Sequence, residues 1–538
     1  MPTRRDFLRQ AAATSALLAT GTSLSCSDGL PPYEEETNWS AGDVAHLLPA
    51  ASHDRILLKA SFHRPLRAAR LELAGREFEG RRSDADGLHY SFDARALTPD
   101  RTHTLQLRDA AGDRLCDPWP LRTLPAPNAA PRRLRILLYT CAGGPEHFWT
   151  PRFEEPFIPI ALRRRLLARA LSFQPDVAIA NGDHVYWDLH SKFGIGMANS
   201  PQAWWRAGWF DQDAPVLGGA NEEVLRGAVG PQIAGLYGTL FRSTPMVFLQ
   251  DDHDHLENDE ADEERRTFPP TPFMIDAARA TQKLYYPELF AGPELPRTWS
   301  REGLSESFGS LRYGRLFEAL LYDCRRHLTN QRDPARSDEF SGFVPADIEA
   351  WLIQRTRRGA TRHCVHMPST PILWSAGKWG EWYPDVLDEA GDLRADRDKP
   401  YWPSGWKAQH DRLLEAASAR RDRIPLFASG DLHALGLGRI HGTGDLNLSA
   451  NPVVSLLVGP PGTGELTWPS RFRGTPPLPS RTLEAEEWQP ALEANGFTLL
   501  DVTPDEMTVR LFRWKPEEGI DVLPTLEPFL ERTLERPA

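Results

Sequence analysis

Val177-Ala178-Ile179-Ala180-Asn181-Gly182-Asp183-His184-Val185-Tyr186 is a short apolar run that stops at Asn-Gly-Asp and continues into His and Tyr. A run of this length, rich in β-branched residues and closed by turn residues, predicts a buried strand rather than a helix. The chemistry-bearing side chains begin where that strand ends. The same grammar recurs along the chain: Leu134 to Tyr139 runs into Thr140-Cys141, residues 245–249 into Gln250-Asp251-Asp252-His253-Asp254, and residues 425–428 into Ser429-Gly430-Asp431-Leu432-His433. In α/β sheets, ligands gather outside the carboxyl ends of strands, where loops converge on a rigid scaffold. Alone, a Gly-Asp pair is more often a turn, and a strand-end cysteine is more often buried and inert. The ordered set of four strand ends carrying Cys, Asp, Tyr or His is a metal-site pattern.

Electrostatics points the same way. If the strands are neighbours, Asp183, Asp252 and Asp431 approach one another, and two like charges ~4 Å apart cost about 4 kcal/mol at an effective dielectric near 20. Bound cations or shifted protonation must relieve that repulsion.

Around these strands the chain reads as an α/β domain over residues 132–515. Residues 160–173 put Leu162, Leu166, Leu167, Ala170 and Leu171 on one helical face. Further strands are expected at 363–367 and 453–458, and 497–502 with 507–512 reads as a closing hairpin turning on Thr503-Pro504-Asp505-Glu506. Ahead of this domain, residues 26–124 carry short alternating strands such as 56–62, 71–73, 88–92 and 103–107, separated by turn signals such as Asp109-Ala110-Ala111-Gly112-Asp113. That spacing predicts a small all-β sandwich. A Pro/Ala-rich linker (125–131) joins the two, and residues 516–538 read as a C-terminal tail. Residues 1–25 contain Thr3-Arg4-Arg5-Asp6-Phe7-Leu8-Arg9 and then an apolar stretch shorter than the roughly 20 residues of a membrane span, which reads as a twin-arginine-type export signal. The expected location is therefore periplasmic or extracellular, the protein being either free after cleavage or tethered through a lipid on Cys26. Cys116, Cys141, Cys324 and Cys364 are too few for a disulfide framework.

The 538-residue chain holds 62 basic and 74 acidic residues, a formal charge of −12. This balance repels nucleic acid and anionic membranes at long range, so no nucleic-acid partner is expected. A small phosphate ester stays compatible, because local cations outweigh the global field.

The order of the elements resembles the calcineurin-like metallophosphoesterases, whose pattern is an early ligand, then Gly-Asp, then Gly-Asn-His-Glu/Asp, then Gly-His-x-His. The spellings here are more specifically similar to PhoD-type alkaline phosphatases and phosphodiesterases. A cysteine after a strand matches Cys141, Gly-Asp with a tyrosine three residues on matches Asp183 and Tyr186, Asp-Asp-His-Glu/Asp matches Asp251 to Asp254, and Gly-Asp-x-His matches Gly430 to His433. Tyr322-Asp323-Cys324-Arg325 is similar to the family's Asp-Thr-Arg strand end, with Cys in place of Thr. The resemblance spans nearly the whole mature chain. It implies an α/β metallophosphoesterase sandwich, with mixed β-sheets flanked by helices, preceded by the small all-β sandwich.

The resemblance also implies roles. Asp183 would bridge two metals, with Cys141, Tyr186 and His433 completing the first position and Asp252 and Asp431 the second. A thiolate with a phenolate suits a redox-capable ion, ferric iron in the family, and carboxylates suit calcium or another divalent ion. The implied reaction is hydrolysis of a small-molecule or lipid phosphate ester by a hydroxide that two metals activate. His253 would protonate the leaving oxygen, with Asp254 orienting it. Arg325 would either bind phosphate through its planar fork or brace the sheet. His366 is a candidate ligand of the second metal, or else a core or rim histidine. The Trp204 to Phe210 and Trp379 to Tyr383 insertions, with Trp402 and Trp406, would be pocket lids or satellite cores. Glu257 to Glu264 reads as a solvated acidic loop. Gly459-Pro460-Pro461-Gly462-Thr463-Gly464-Glu465 mimics a phosphate-binding loop, but Glu465 stands where lysine is needed. The competing function is a surface binding protein with structural metals and no turnover.

Overall fold

The computed structural model describes residues 38–146, 156–189, 207–257, 269–328, 342–375, 386–387, 393–394, 404–472, 474–480 and 482–536. The expected export signal, Cys26, Trp204, Trp205, the Trp379 to Tyr383 group and Trp402 lie outside these residues.

Two sheets meet face to face at the centre. One runs, in spatial order, Met246–Leu249, Val177–Asn181, Leu134–Tyr139, Asn495–Val502, Glu506–Trp514 and Leu530–Glu535. The other runs Phe308–Tyr313, Phe317–Tyr322, His363–Pro368, Leu426–Ser429, Val453–Val458, Leu435–Thr443 and Leu446–Asn447, with Leu483–Leu492 also paired to Leu435–Thr443. Strand parity explains the packing. Ile136, Leu138, Ile179 and Leu500 from the first sheet share a core with Val365, Met367, Leu426, Ala428 and Leu456 from the second. The intervening residues Cys364, Phe427 and Leu457 turn to a second core under the helices Ala346–Arg358 and Ser404–Ser418. Because both faces of these strands are covered, they are mostly apolar rather than alternating.

The expected helix forms over Ile160–Ser172 and buries Leu162, Leu166, Leu167 and Ala170. Leu171 is only half-buried. The closing hairpin also forms, Asn495–Val502 against Glu506–Trp514, with Thr503 N–H donating to the Glu506 carbonyl at 3.0 Å. Residues 516–538 are not simply a tail: Leu530–Glu535 pairs antiparallel with Glu506–Trp514 and forms the edge of the first sheet.

The N-terminal part is a sandwich of two four-stranded antiparallel sheets. One comprises Val44–Ala51, Arg55–Phe62, His89–Arg95 and Arg81–Arg82, and the other Arg76–Glu79, Ala69–Leu73, Thr102–Asp109 and Trp119–Arg122. Leu47, Leu58, Leu71, Phe92, Leu105 and Trp119 fill its core. The 125–131 segment that follows is pinned to the turn at residue 314, where the Arg315 N–H donates to the Ala129 carbonyl at 2.8 Å and Arg312 to that of Pro127 at 3.1 Å. The described residues all belong to one compact unit. No helix among the described residues is long and apolar enough to cross a membrane.

Candidate metal centre

Four strand ends converge because hydrogen bonds lace them together at one edge of the two sheets. Cys141 N–H donates to the Gly182 carbonyl and Gly182 N–H to that of Leu249, each at 3.1 Å. Asn181 Nδ2 crosses between the sheets, donating to the carbonyls of Pro368 at 3.0 Å and Ala428 at 3.3 Å. The Thr140 hydroxyl donates to the Asn181 carbonyl at 2.7 Å and accepts from the Asp431 N–H at 3.3 Å. Gly430 is required at this crossing, since a Cβ there would collide with the Thr140 hydroxyl and the Asn181 carbonyl.

The loops then turn sharply. Cys141 (φ 50), Asp183 (φ 59), Asp431 (φ 66) and His433 (φ 48) all occupy the left-handed region. Non-glycine residues there are uncommon, and such strain concentrates at functional sites.

The turns bring the expected side chains together. Donor atoms of Cys141, Asp183 and His433 lie within 4.8 Å of one another, as do those of Asp183, Asp252 and His253, and those of Asp251, Asp252 and Asp431. Asp183 belongs to the first two groups and Asp252 to the last two. Cys141 Sγ lies 3.2 Å from Asp183 Oδ2, and the Tyr186 hydroxyl oxygen lies 3.0 Å from the same oxygen. Tyr186 Oη is also 2.9 Å from His433 Nε2. On the far side of that ring, His433 Nδ1 lies 2.8 Å from the Thr467 carbonyl. A carbonyl can only accept, so Nδ1 carries the proton and Nε2 presents its lone pair to the cluster.

Protonation follows burial and mutual repulsion. Burial and the neighbouring Asp252 charge push the Asp183 carboxyl well above the usual carboxylate range. Burial and Asp183 do the same to the Cys141 thiol and the Tyr186 phenol. Without cations the cluster therefore holds protons. Asp183 Oδ1 has no hydrogen-bond partner among the described residues, although Asp183 is fully buried. A buried carboxylate oxygen in that state is costly unless something positive meets it. The thiol, phenol, imidazole and carboxylate donors thus fit a metal centre.

His253 follows directly on Asp252, but its partner is not Asp254. Nδ1 lies 2.7 Å from Asp188 Oδ1, and the ring packs on Tyr186 with centroids 4.2 Å apart. Burial opposes the charged imidazole, yet Asp188, Asp252 and Asp183 outweigh it and hold its pKa well above the usual value. Asp254 instead binds the loop backbone. Its carboxylate accepts from the N–H groups of Asp183 at 2.8 Å, His184 at 2.8 Å, Val185 at 3.2 Å and Asp251 at 3.0 Å. It is a keystone for two ligand-bearing loops rather than an orienter of His253.

Geometry places two further candidate residues. Arg325 is buried, with Nε 2.9 Å from Asp251 Oδ1 and Nη2 3.2 Å from Asp431 Oδ2. These contacts tie the strand end that carries Arg325 to the loops of Asp251 and Asp431. His366 sits inside a strand, two residues short of its end at Pro368, and its parity turns it to the helix-covered face. There its Nδ1 meets the Tyr322 hydroxyl at 3.2 Å and its Nε2 the Thr356 hydroxyl at 2.9 Å, and its ring stacks on Phe427 at 4.3 Å. Both nitrogens are engaged, and burial lowers its pKa to about 3. It is a core histidine, so its candidacy as a metal ligand is withdrawn. His366→Leu is expected to destabilise the chain by ~1–3 kcal/mol through two stranded hydroxyls and to leave bound metal unchanged. Chemical denaturation and metal analysis of the same sample check both halves.

Glu257 is fully buried rather than solvated, while residues 258–264 lie outside the described residues. Trp209 is 54% exposed, and Phe210 packs edge-on against Phe273 with centroids 5.5 Å apart. The loop that mimics a phosphate cradle turns out to be a support. Gly462 abuts the carbonyls of Cys141 to Gly143, and Thr140 N–H donates to the Gly459 carbonyl at 3.1 Å.

Sequence reasoning missed Asp188, Asp251 as part of the cluster, Thr467, and Gln232, whose Oε1 accepts from Tyr186 N–H and Gly144 N–H at 2.8 Å each. Asp188, two residues beyond Tyr186, and Asp251, beside Asp252, were within reach of the local pattern. Thr467 and Gln232 act from distant segments and carry no local signal. The four cysteines among the described residues are free and buried, in line with the absence of a disulfide framework.

The sequence matches no protein-family model, and it matches none of the curated proteins. Solved structures of similar fold include the following two. That of PhoD superposes with a TM-score of 0.59 at 14% identity, covering 94% of this chain and 92% of that one. That of purple acid phosphatase PPD1 from seeds of yellow lupin (Lupinus luteus) gives 0.52 at 12% identity, covering 91% of this chain and 74% of that one. With its mixed sheets flanked by helices and its all-β part in front, the chain has the metallophosphoesterase fold.

Proposed function

We propose that this protein is an exported, metal-dependent hydrolase of phosphate esters, with phosphomonoesterase or phosphodiesterase activity of the PhoD kind. The observation that carries the reading is the overlap of three largely buried donor groups through Asp183 and Asp252. The sulfur, phenol and imidazole of Cys141, Tyr186 and His433 suit ferric iron, and Asp252 and Asp431 suit calcium or another divalent ion, with Asp183 shared. When bound, such ions lower the pKa of water and neutralise charge on phosphate oxygens.

The chain's own groups do the rest. Thr467 holds His433 in the tautomer that offers Nε2. Asp254 fixes the backbone that carries Asp183. Asp188 binds His253 through Nδ1, keeping the imidazole protonated and leaving Nε2 as the proton source for a departing alkoxide. The acidic balance of the chain favours a small-molecule or lipid phosphate ester over nucleic acid. Export by the twin-arginine route, with release or a lipid tether at Cys26, completes the proposal.

The test is hydrolysis of nitrophenyl phosphate and of its bis-ester by the full chain loaded with iron and calcium. Turnover of one or both is expected, and their ratio separates monoesterase from diesterase. Metal-loaded protein inert toward both would favour a binding protein with structural ions.

A further inference from the structure

The cluster contains one more acidic side chain than the ligand assignment uses. Asp251 is fully buried beside Asp252 and Asp431, with oxygens in the same 4.8 Å group. Three overlapping donor groups invite three cations. One of the three, however, already faces a cation of the chain. Arg325 leaves the end of the strand Phe317–Tyr322 and places Nε 2.9 Å from Asp251 Oδ1 and Nη2 3.2 Å from Asp431 Oδ2. Its backbone is held as well, with its N–H donating to Asp323 Oδ1 at 2.8 Å. A guanidinium does not lose its proton in proteins, and its rigid fork spans two carboxylates in a fixed geometry.

We propose that Arg325 is the resident cation of the Asp251–Asp431 pair, so that it occupies the place of a third metal ion and holds Asp251 out of the metal coordination sphere. The inference rests on the metal-centre reading above. Charge balance supports it. Cys141, Tyr186, Asp183, Asp252, Asp431 and Asp251 would together present six anions once deprotonated. The guanidinium cancels one and leaves five, which one trivalent and one divalent ion neutralise. A third divalent ion would leave the buried site with surplus positive charge, and burying unbalanced charge is strongly unfavourable. Arg325 is thus a positioning residue that sets metal number, rather than a fork for the substrate's phosphate.

The experiment counts metal ions per chain by mass spectrometry of the full protein saturated with iron and calcium and then freed of excess. About two ions are expected for the unaltered protein. Asp251→Asn is expected to keep both, because its carboxylate is not a ligand. Arg325→Met exposes the Asp251–Asp431 pair and is expected to raise the count to about three, the added ion being calcium, which favours carboxylate oxygens. Arg325→Lys, which keeps a cation in place, stays at about two. Loss of an ion from Asp251→Asn, or no gain in a folded Arg325→Met, overturns the proposal. If Arg325→Met does not fold, Asp251→Asn alone decides. An unaltered protein that binds neither iron nor calcium would instead overturn the metal-centre reading itself, and this inference with it.

Discussion

Asp183→Asn is expected to lose both metal ions and to hydrolyse nitrophenyl phosphate at least ~10³-fold more slowly in kcat/KM. The substitution is mild in shape, and asparagine tolerates the left-handed backbone found at this position (φ 59), so the fold should persist. What changes is charge at the one carboxylate shared by the first and second donor groups. Lewis-acid stabilisation is worth several kcal/mol, and each 1.36 kcal/mol is tenfold in rate, so ~4 kcal/mol corresponds to about 10³. The metal-free proteins should move the other way. Burial and Asp252 hold the Asp183 carboxyl well above its ordinary pKa, so the folded metal-free state binds a proton that the unfolded chain releases. Stability from that proton is full below the ordinary carboxylate pKa and is lost as pH rises through the raised folded value. At neutral pH, metal-free Asp183→Asn, which cannot ionise there, should therefore melt above the metal-free parent. Retention of both ions with parental turnover would remove Asp183 from the bridging role.

His253→Ala should separate metal binding from proton transfer. The imidazole is gripped by Asp188 and packed at a tilt on Tyr186, a posture suited to donating from Nε2. General-acid assistance is worth ~10²–10⁴ where the leaving group is a poor one. The expected result is a loss of that order with an alkyl phosphate, a loss below about tenfold with nitrophenyl phosphate, and both metals retained. Asp188→Asn should show the same dependence on leaving group in weaker form, because the ring survives while the charge beside it does not. Equal losses on both esters would mean that His253 acts through the metals or the fold, and no loss on either would remove it from the chemistry.

The parts of this site that were legible in the sequence are those written locally. Cys141, Asp183, Asp252, Asp431 and His433 each follow a short apolar strand by a few residues, and parallel strands bring such positions to one edge. The parts that were not legible depend on partners far away in the chain. Asp254 reads as a natural neighbour for His253, yet it folds back onto the amides of residues 183–185. His366 misled because both faces of its strand are buried, so no polar alternation marks which face it takes. The strand Leu530–Glu535 was hidden for the opposite reason. It is a sheet edge, half of its residues exposed and half charged, and such strands lack an apolar signature. Thr467 acts through a backbone carbonyl, a role that no side-chain pattern encodes.

Anomalous diffraction from crystals of the iron- and calcium-loaded protein tests the central claim most directly. The account predicts two ions, one bonded to the sulfur of Cys141 and the nitrogen of His433, and both sharing the carboxylate of Asp183. Ions bound only elsewhere, or a fully loaded crystal with no ion within bonding distance of Cys141, Asp183, Asp252 and His433, would contradict it.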